Sequence, residues 1–472
     1  MIRLLSETLA SLPPDWPEDP LPAIQRRVEQ GARAVVVLDD DPTGTQTVYG
    51  VPVLTVWDEG TIAGELRRGG PACYILTNSR SMPSAAAQAV SAAIGANLRV
   101  AVQAAGREVT VISRSDSTLR GHFPVETDAL AAALGGERPT LLVPAFLDGG
   151  RYTIDDVHYV AEGERLVPAG ETAYARDAAF GYRASNLRAW VEEKTGGRVP
   201  AGGVASISID DIRRGGPERV AARLRAVPPG GVCIANAASE RDLAVIALGV
   251  LALEDEGRPL MLRTAASFVA ARLGLRRRPP LTAAELALPP GGGLVVAGSY
   301  VPSTTAQLEV LLAQPGVAGV ELDVAALCDP ARRAESVAAA AARAREVLDT
   351  GADVALYTSR ALLSSPAPEE SLAIGRSVSE GLVAAVAAIG RRPRYLLAKG
   401  GITSSDVATA ALGVRRAEVL GQIIPGVPVW RLGPESRLPG LAYIVFPGNV
   451  GGPRALADVV GALSVMRRVG GV

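Results

Sequence analysis

The stretch that most constrains this chain is Val35-Val36-Val37-Leu38-Asp39-Asp40-Asp41-Pro42-Thr43-Gly44-Thr45. An apolar, β-branched run stops at three carboxylates, and a Pro-Thr-Gly turn follows. A run of this length bounded by turn residues reads as a strand buried on both faces. In an open parallel sheet, ligands bind just past the carboxyl ends of such strands. Three adjacent acids repel one another, so a bound cation or a hydroxylated ligand is expected to relieve them. A solvated acidic turn is the plain alternative. The density of Asp, the glycine and two Thr hydroxyls favour a site.

The pattern recurs. Strand-like runs at residues 51–56, 73–76, 109–112, 140–143, 204–209, 232–235 and 260–263 alternate with helical stretches such as 84–103 and 239–253. Such alternation predicts an α/β fold with a parallel sheet, whose loops after the strands fall on one edge. Those loops carry Thr77-Asn78-Ser79-Arg80, then Ser115-Asp116-Ser117-Thr118-Leu119-Arg120-Gly121-His122, then Pro144-Ala145-Phe146 with Gly149-Gly150-Arg151. Asp40 and Asp41 suit hydroxyls or a metal. Arg80, Arg120 and Arg151 suit a carboxylate, which arginine grips with a bidentate fork.

Residues 273–293 change character: a basic cluster, Pro279-Pro280, Pro289-Pro290 and three glycines mark a domain boundary. The expected organisation is a lead (1–31), a first α/β domain (32–275), a linker (276–292) and a second α/β domain (293–472). Each domain is expected to hold a largely parallel sheet flanked by helices. In the second, strands are followed by Gly298-Ser299 with Ser303, by Lys399-Gly400-Gly401-Ile402-Thr403, and by Gly448-Asn449-Val450-Gly451. Glycines admit close backbone approach, and free N–H groups at a helix start attract anions. Three such loops predict a nucleotide-phosphate pocket. Only Lys194 and Lys399 among 48 basic residues are lysine, which singles out Lys399 as a compact point charge. Neither a G-x-x-x-x-G-K-[ST] loop nor a G-x-G-x-x-G fingerprint occurs.

Composition narrows the classes. The formal charge is -1, from 48 basic and 49 acidic residues, and aromatics are 4%. Neither favours nucleic acid or an acidic membrane as partner. No run of 18 or more apolar residues occurs, so no membrane span is expected. The start of the chain lacks a signal-peptide pattern, and three scattered cysteines fit a reducing, cytoplasmic compartment. Two histidines leave little basis for a histidine metal site or a Ser-His mechanism.

Taken together, the chain resembles the four-carbon acid-sugar kinases over nearly its whole length. Asp40-Asp41-Pro42-Thr43-Gly44 is similar to that family's D-D-x-T-G signature, Thr77-Asn78-Ser79-Arg80 to its T-D/N-S-R segment, and Asp116 to Gly121 to its D-S-T-L-R-G motif. Pro144-Ala145-Phe146 with Gly150-Arg151 resembles its P-A-F…G-R loop. Gly298-Ser299 with Ser303, Thr305 and Gln307, then Gly400-Gly401-Ile402-Thr403 and Gly448-Asn449-Val450-Gly451, resemble its nucleotide loops. The resemblance implies an N-terminal domain that binds a sugar acid and a C-terminal domain that binds ATP with Mg²⁺. It implies substrate contacts from Asp40, Thr43, Asn78, Arg80, Asp116, Ser117, Arg120 and Arg151. Nucleotide contacts would come from Ser299, Ser303, Lys399, Gly400, Gly401, Ile402, Thr403, Gly448, Asn449 and Gly451. Asp40, Asp41 and Asp116 stand as candidates for the base, and no metal ligand is singled out. A non-catalytic sugar-acid and nucleotide binder is the alternative, and monomer and homodimer remain equally open.

Overall fold

The computed structural model describes residues 2–31, 33–298, 301–360, 368–448 and 450–464. The chain divides into two compact units, Met1–Arg277 and Arg278–Val472.

In the first unit, strands run in the order Ala205–Ile207, Val232–Ala235, Thr140–Val143, Met261–Thr264, Val109–Arg114, Ala34–Asp39, Ala72–Leu76 and Val51–Leu54. Every neighbouring pair in that series is parallel. Ala34–Asp39 is buried along its whole length. Val36 and Leu38 pack on Ile62, Leu66, Ile94 and Leu98 from the helices Glu59–Arg67 and Ser84–Ala105. Val35 and Val37, on the opposite face by the two-residue period, are equally buried. The chain adds two strands on one side of Ala34–Asp39 and then crosses to Val109–Arg114 on the other. The three acids therefore sit at the topological switch point, where a crevice opens between diverging connections.

By length and a mean hydropathy of 1.3, the helix Ser84–Ala105 would pass for a membrane span. Its alanines give that hydropathy, but Ile94, Leu98 and Ala101 are buried in the core of this unit. Gly95 lies where a Cβ would meet the Ala133 Cβ at 2.6 Å, so the neighbouring helix Val125–Ala133 seats closely upon it.

A smaller antiparallel sheet joins Arg3–Leu4, Arg165–Pro168, Val157–Glu162 and Arg151–Ile154. The stretch read as a lead is thus built into the first unit. The helix Leu21–Gln30 also buries Ile24, and Gln25 donates to the Gly274 carbonyl at 2.9 Å.

The second unit orders Arg416–Ile424, Val427–Leu432, Ala442–Phe446, Leu396–Lys399, Leu294–Ala297, Asp353–Thr358 and Val317–Leu322. The last five are mutually parallel, and the first two form an antiparallel hairpin beside them. Both units are α/β with largely parallel sheets flanked by helices, as the sequence anticipates. The stretch expected as a linker is anchored from Arg278 onward. Leu281, Leu286 and Leu288 are buried with Val295, Val427 and Phe446, and the Leu281 N–H donates to the Gln422 carbonyl at 2.6 Å. Its prolines and glycines shape turns between leucines that have a core to enter.

Beneath the first unit's site, Trp190 is fully buried and stacks on Phe123 at 5.0 Å, among Leu119, Leu142 and Ile234. Trp190→Ala is expected to lower stability by about 3–5 kcal/mol, seen as a lower urea midpoint with little change in slope.

Candidate functional site

At the carboxyl edge of the first sheet the three acids separate into distinct roles. Asp39 ends its strand and is 1% exposed. It accepts from Arg114 Nη1 at 3.1 Å, while its Oδ2 is buried with no hydrogen-bond partner among the described residues. Gly44 lies directly on this carboxyl: a Cβ there would stand 2.1 Å from both oxygens. That close approach explains why a glycine closes the turn. Asp40 is gripped side-on by Arg80, whose Nε donates at 3.2 Å and whose Nη2 donates to the other oxygen. Ser115 Oγ also donates to Asp40, and Arg114 Nη1 lies 3.6 Å from it. Asp41 is the most open of the three. Its Oδ1 accepts from the Thr43 N–H at 2.8 Å and Oγ1 at 2.6 Å, and its Oδ2 from Arg80 Nη1 at 3.4 Å.

The acids' repulsion is relieved within the chain by the guanidinium groups of Arg80 and Arg114, where the sequence suggested a bound cation or a hydroxylated ligand. Arg80, read as a carboxylate receptor, is engaged by Asp40, Asp41 and, at 3.9 Å, Asp116. Burial pushes the Asp39 carboxyl up to about 7 against the pull of Arg114. Burial acts the same way on Asp40, but Arg80, Arg114 and Arg263 outweigh it and hold that carboxyl below the usual range. Asp116 is likewise buried yet held low by Arg80 and Arg120.

The loop after Val109–Arg114 brings Asp116 and Arg120 together. Arg120 Nε donates to Asp116 Oδ2 at 2.8 Å and Thr118 Oγ1 at 3.2 Å, and Nη1 reaches Asp177 at 3.5 Å. Leu119 takes a left-handed φ of +68° with its side chain buried on the Phe123–Trp190 cluster. That anchor fixes the loop between the two charged residues. The Tyr182 hydroxyl donates to the Thr118 carbonyl at 2.6 Å. Ser117 contributes its carbonyl, which accepts from His158 Nε2 at 2.7 Å, so His158 Nδ1 accepts from the Thr153 hydroxyl at 2.9 Å. This histidine is structural: burial lowers it to about 4. Arg151, at the start of its hairpin, donates to the Gly149 carbonyl and, at 3.4 Å, to the Tyr174 hydroxyl. Asn78 adopts a left-handed φ of +54° and turns the chain into the Ser79–Ser81 helical turn that presents Arg80.

Arg114 and Ser115 were read in the sequence only as part of the loop after residues 109–112, and Tyr174 and Arg263 were not singled out. Arg263 is 4% exposed and donates to the Arg120 carbonyl at 3.3 Å. Its signal was a charge ending an otherwise apolar strand, as with Arg114. Tyr174 lies in the short helical turn Ala173–Arg176, which carries no pattern of its own.

In the second unit, register places Ala297 opposite Lys399 and Lys399 opposite Phe446, so the three glycine loops leave one sheet edge at one level. Gly400 takes φ +106°, a conformation open to glycine, and leads into Gly401–Asp406. Thr403 Oγ1 approaches Gly298, Ser303 Oγ donates to the Gly448 carbonyl at 3.3 Å, and Ile402 is 63% exposed. Ser299 and Asn449 lie outside the described residues. Lys399 is fully buried: Nζ donates to the carbonyls of Pro447 at 2.7 Å and Gly448 at 3.2 Å and sits 4.4 Å from the Phe446 ring centre. Burial lowers its ammonium to about 8. Gln307 Nε2 donates to the carbonyls of Val450, Gly451 and Gly452 at 3.0–3.1 Å. A trans peptide sets C=O and the following N–H in opposite directions. With those carbonyls drawn inward, the Gly448, Gly451 and Gly452 N–H groups are turned the other way.

Asp39 gives a pH prediction. Its folded value of about 7 lies above the ordinary 3.8. Its stabilising contribution is therefore complete below about 3.8 and is lost as pH rises through about 7. Asp39→Asn should gain stability relative to the parent across that window and level off above it, as read from urea midpoints.

Two family models match the chain: a sugar-binding N-terminal domain over residues 35–272 and a nucleotide-binding C-terminal domain over 294–456. A 3-oxo-tetronate kinase of Pseudomonas fluorescens is 30% identical over 444 residues, covering 90% of this chain and 96% of its own length. A 3-oxo-tetronate kinase of Cupriavidus necator is 29% identical over 391 residues, covering 81% and 84%. The crystal structure of Haemophilus influenzae protein HI1011 shares the fold, with a TM-score of 0.61 at 20% identity, covering 91% of this chain and all of that one. The chain belongs to the four-carbon acid-sugar kinase family, and it is a sugar-acid kinase, a phosphotransferase with an alcohol group as acceptor.

Proposed function

We propose that this kinase transfers the γ-phosphoryl group of ATP to a hydroxyl of a four-carbon sugar acid: 3-oxo-tetronate, or a relative such as threonate or erythronate. One observation carries the reading. At the switch point of the first unit, Asp40, Asp41 and Asp116 all face Arg80, Asp116 also pairs with Arg120, and Arg120 and Arg151 both lie over the ring of Tyr174. Carboxylates bind hydroxyls and guanidinium groups bind a carboxylate, so the edge suits a molecule bearing both. The names of the relatives point to the same class.

Asp40 and Asp116, held in place by arginine and hydroxyl donors, orient the acceptor. Asp41, with 20% of its side chain exposed, takes the hydroxyl proton. The acceptor oxygen bonds to the γ-phosphorus, the bond to the β–γ bridging oxygen breaks, and ADP leaves with that electron pair. Positioning and charge stabilisation supply most of the rate in such transfers. Asn78, Thr43 and Ser117 shape the acceptor's pocket through backbone turns. In the second unit the outward N–H groups of Gly448 and Gly451, with Gly401 and Thr403, cradle phosphates, while Gly400, whose N–H is taken by the Phe446 carbonyl at 2.8 Å, supplies the turn that leads into them. Lys399 acts behind them by fixing the carbonyls, Ser303 steadies Gly448, and Ile402 presents an apolar surface.

Mg²⁺ needs only one or two carboxylates when phosphates complete its shell. No group of three or more His, Cys, Asp or Glu side chains converges as a metal site among the described residues, and the acids at the switch point are already paired with arginine. The donor set therefore fits a metal that arrives on the nucleotide rather than one held by unit 1.

ADP release with Mg·ATP against a panel of four-carbon acids tests the reading. Turnover on one acid and none without it is expected, and ATP binding without turnover on any acid would overturn it. Asp41→Asn should lower kcat about 10²-fold or more with little change in either KM. Lys399→Met should raise the nucleotide KM and leave the KM for the acid unchanged.

A further inference from the structure

We propose that Tyr174 is the positioning residue that makes Arg120 and Arg151 a clamp for the substrate carboxylate, and so sets the preference for acids over neutral polyols. The inference rests on the sugar-acid reading above and names how that site selects charge.

Both guanidinium groups lie over the Tyr174 ring, with centroid distances of 5.3 Å for Arg120 and 5.7 Å for Arg151. Two like charges drawn to one ring repel each other, and the ring's negative face offsets only part of that repulsion. Arg120 is balanced by Asp116 at 2.8 Å and Asp177 at 3.5 Å. Arg151 is different. Its hydrogen bonds go to neutral oxygens, the Gly149 carbonyl and the Tyr174 hydroxyl, and its Nε is buried with no partner among the described residues. A guanidinium with an unmet buried donor and only neutral acceptors is incomplete, and a carboxylate is the group that completes it in bidentate geometry. Tyr174 supplies what holds Arg151 ready without neutralising it: a hydroxyl acceptor and a π face. A carboxylate side chain in that place would cancel the charge the substrate must meet.

Tyr174 sits in the four-residue helical turn Ala173–Arg176. The Asp177 carboxylate that follows accepts from the Ala179 and Phe180 N–H groups at 2.9 and 3.1 Å while facing Arg120. The turn thus delivers an aromatic face and a fixed acid to the same pair of arginines.

The test compares the parent with Tyr174→Ala and Tyr174→Phe. Dissociation constants for threonate and erythronate are measured by calorimetry, and steady-state KM values for acid and nucleotide by ADP release. The neutral polyols threitol and erythritol serve as controls. Tyr174→Ala should weaken acid binding about tenfold or more with the nucleotide KM unchanged. Tyr174→Phe, which keeps the ring, should fall between. Discrimination between acid and polyol should shrink in the same order. Unchanged acid affinity in Tyr174→Ala would overturn the proposal, as would an equal loss for acid and polyol. If Tyr174→Ala does not fold, an Tyr174→Phe variant with unaltered acid affinity overturns it. A parent that binds the acids without releasing ADP would sink the kinase chemistry and leave the clamp standing; a parent that binds no acid would overturn the clamp.

Discussion

Three carboxylates at the end of one buried strand are tolerable only because the buried Arg114 and the half-buried Arg80 stand among them. Two unit charges 4 Å apart interact by about 4 kcal/mol at the effective dielectric of a protein edge, so the acids alone would drive one another to protonate. Arg80 and Arg114 reverse that for Asp40, and Arg114 only partly offsets burial for Asp39. The pairing costs desolvation, and it binds the elements to one another. Arg114 ends one strand, Arg80 follows another, and the acids lie on the strand between them. Loss of one partner leaves an uncompensated buried charge, which is strongly destabilising. The switch point is thus held by the same charges that shape the ligand site.

The second unit solves a different problem with different means. A phosphate needs N–H donors at close range, and side chains would crowd it. In the cradle proposed here the side chains act from behind. Lys399 and Gln307 draw in five carbonyls of the closing loop, and the peptide plane then turns the intervening N–H groups the other way. A lysine suits this better than arginine. Its compact ammonium meets two carbonyls in a fully buried place beside Phe446, where a planar five-donor fork would leave N–H groups unmet. Among so many arginines, that is the physical reason a lysine stands at this position.

Much of this was legible in the sequence. The β-branched runs with abrupt polar ends gave the strands, because a strand covered on both faces has nowhere to place polar residues until it ends. The motifs at Asp40, Arg80, Asp116 and Arg120 converge as read, since parallel connections bring successive loops to one edge. Less legible was which way each charge faces. Nothing in the residues shows that Arg80 is turned inward while Arg151 keeps an open donor, because that depends on neighbours far apart in the chain. The hairpin Arg151–Glu162 was also unread. Its two-residue turn is Asp155-Asp156, both at positive φ, where Asn-Gly or Asp-Gly is the usual signal. The 276–292 stretch shows the converse: proline and glycine marked it as a linker between domains, while Leu281, Leu286 and Leu288 within it are buried in the second unit's core.

The two units also divide discrimination unequally. Backbone N–H groups recognise phosphate in any nucleotide, so the cradle proposed for the second unit would add little selectivity of its own. Selectivity for the acceptor falls to side chains in the first unit, where a charge must be kept unneutralised inside a cluster already dense with acids. Arg120 cannot supply it alone, because Asp116 and Asp177 already balance it. Arg151 can, because its neighbours are a carbonyl, a phenol and a π face. An aromatic residue is the physical means of packing a guanidinium without cancelling it. The acid specificity of such a site is then set by which arginine is left in aromatic rather than carboxylate company, more than by the number of arginines present.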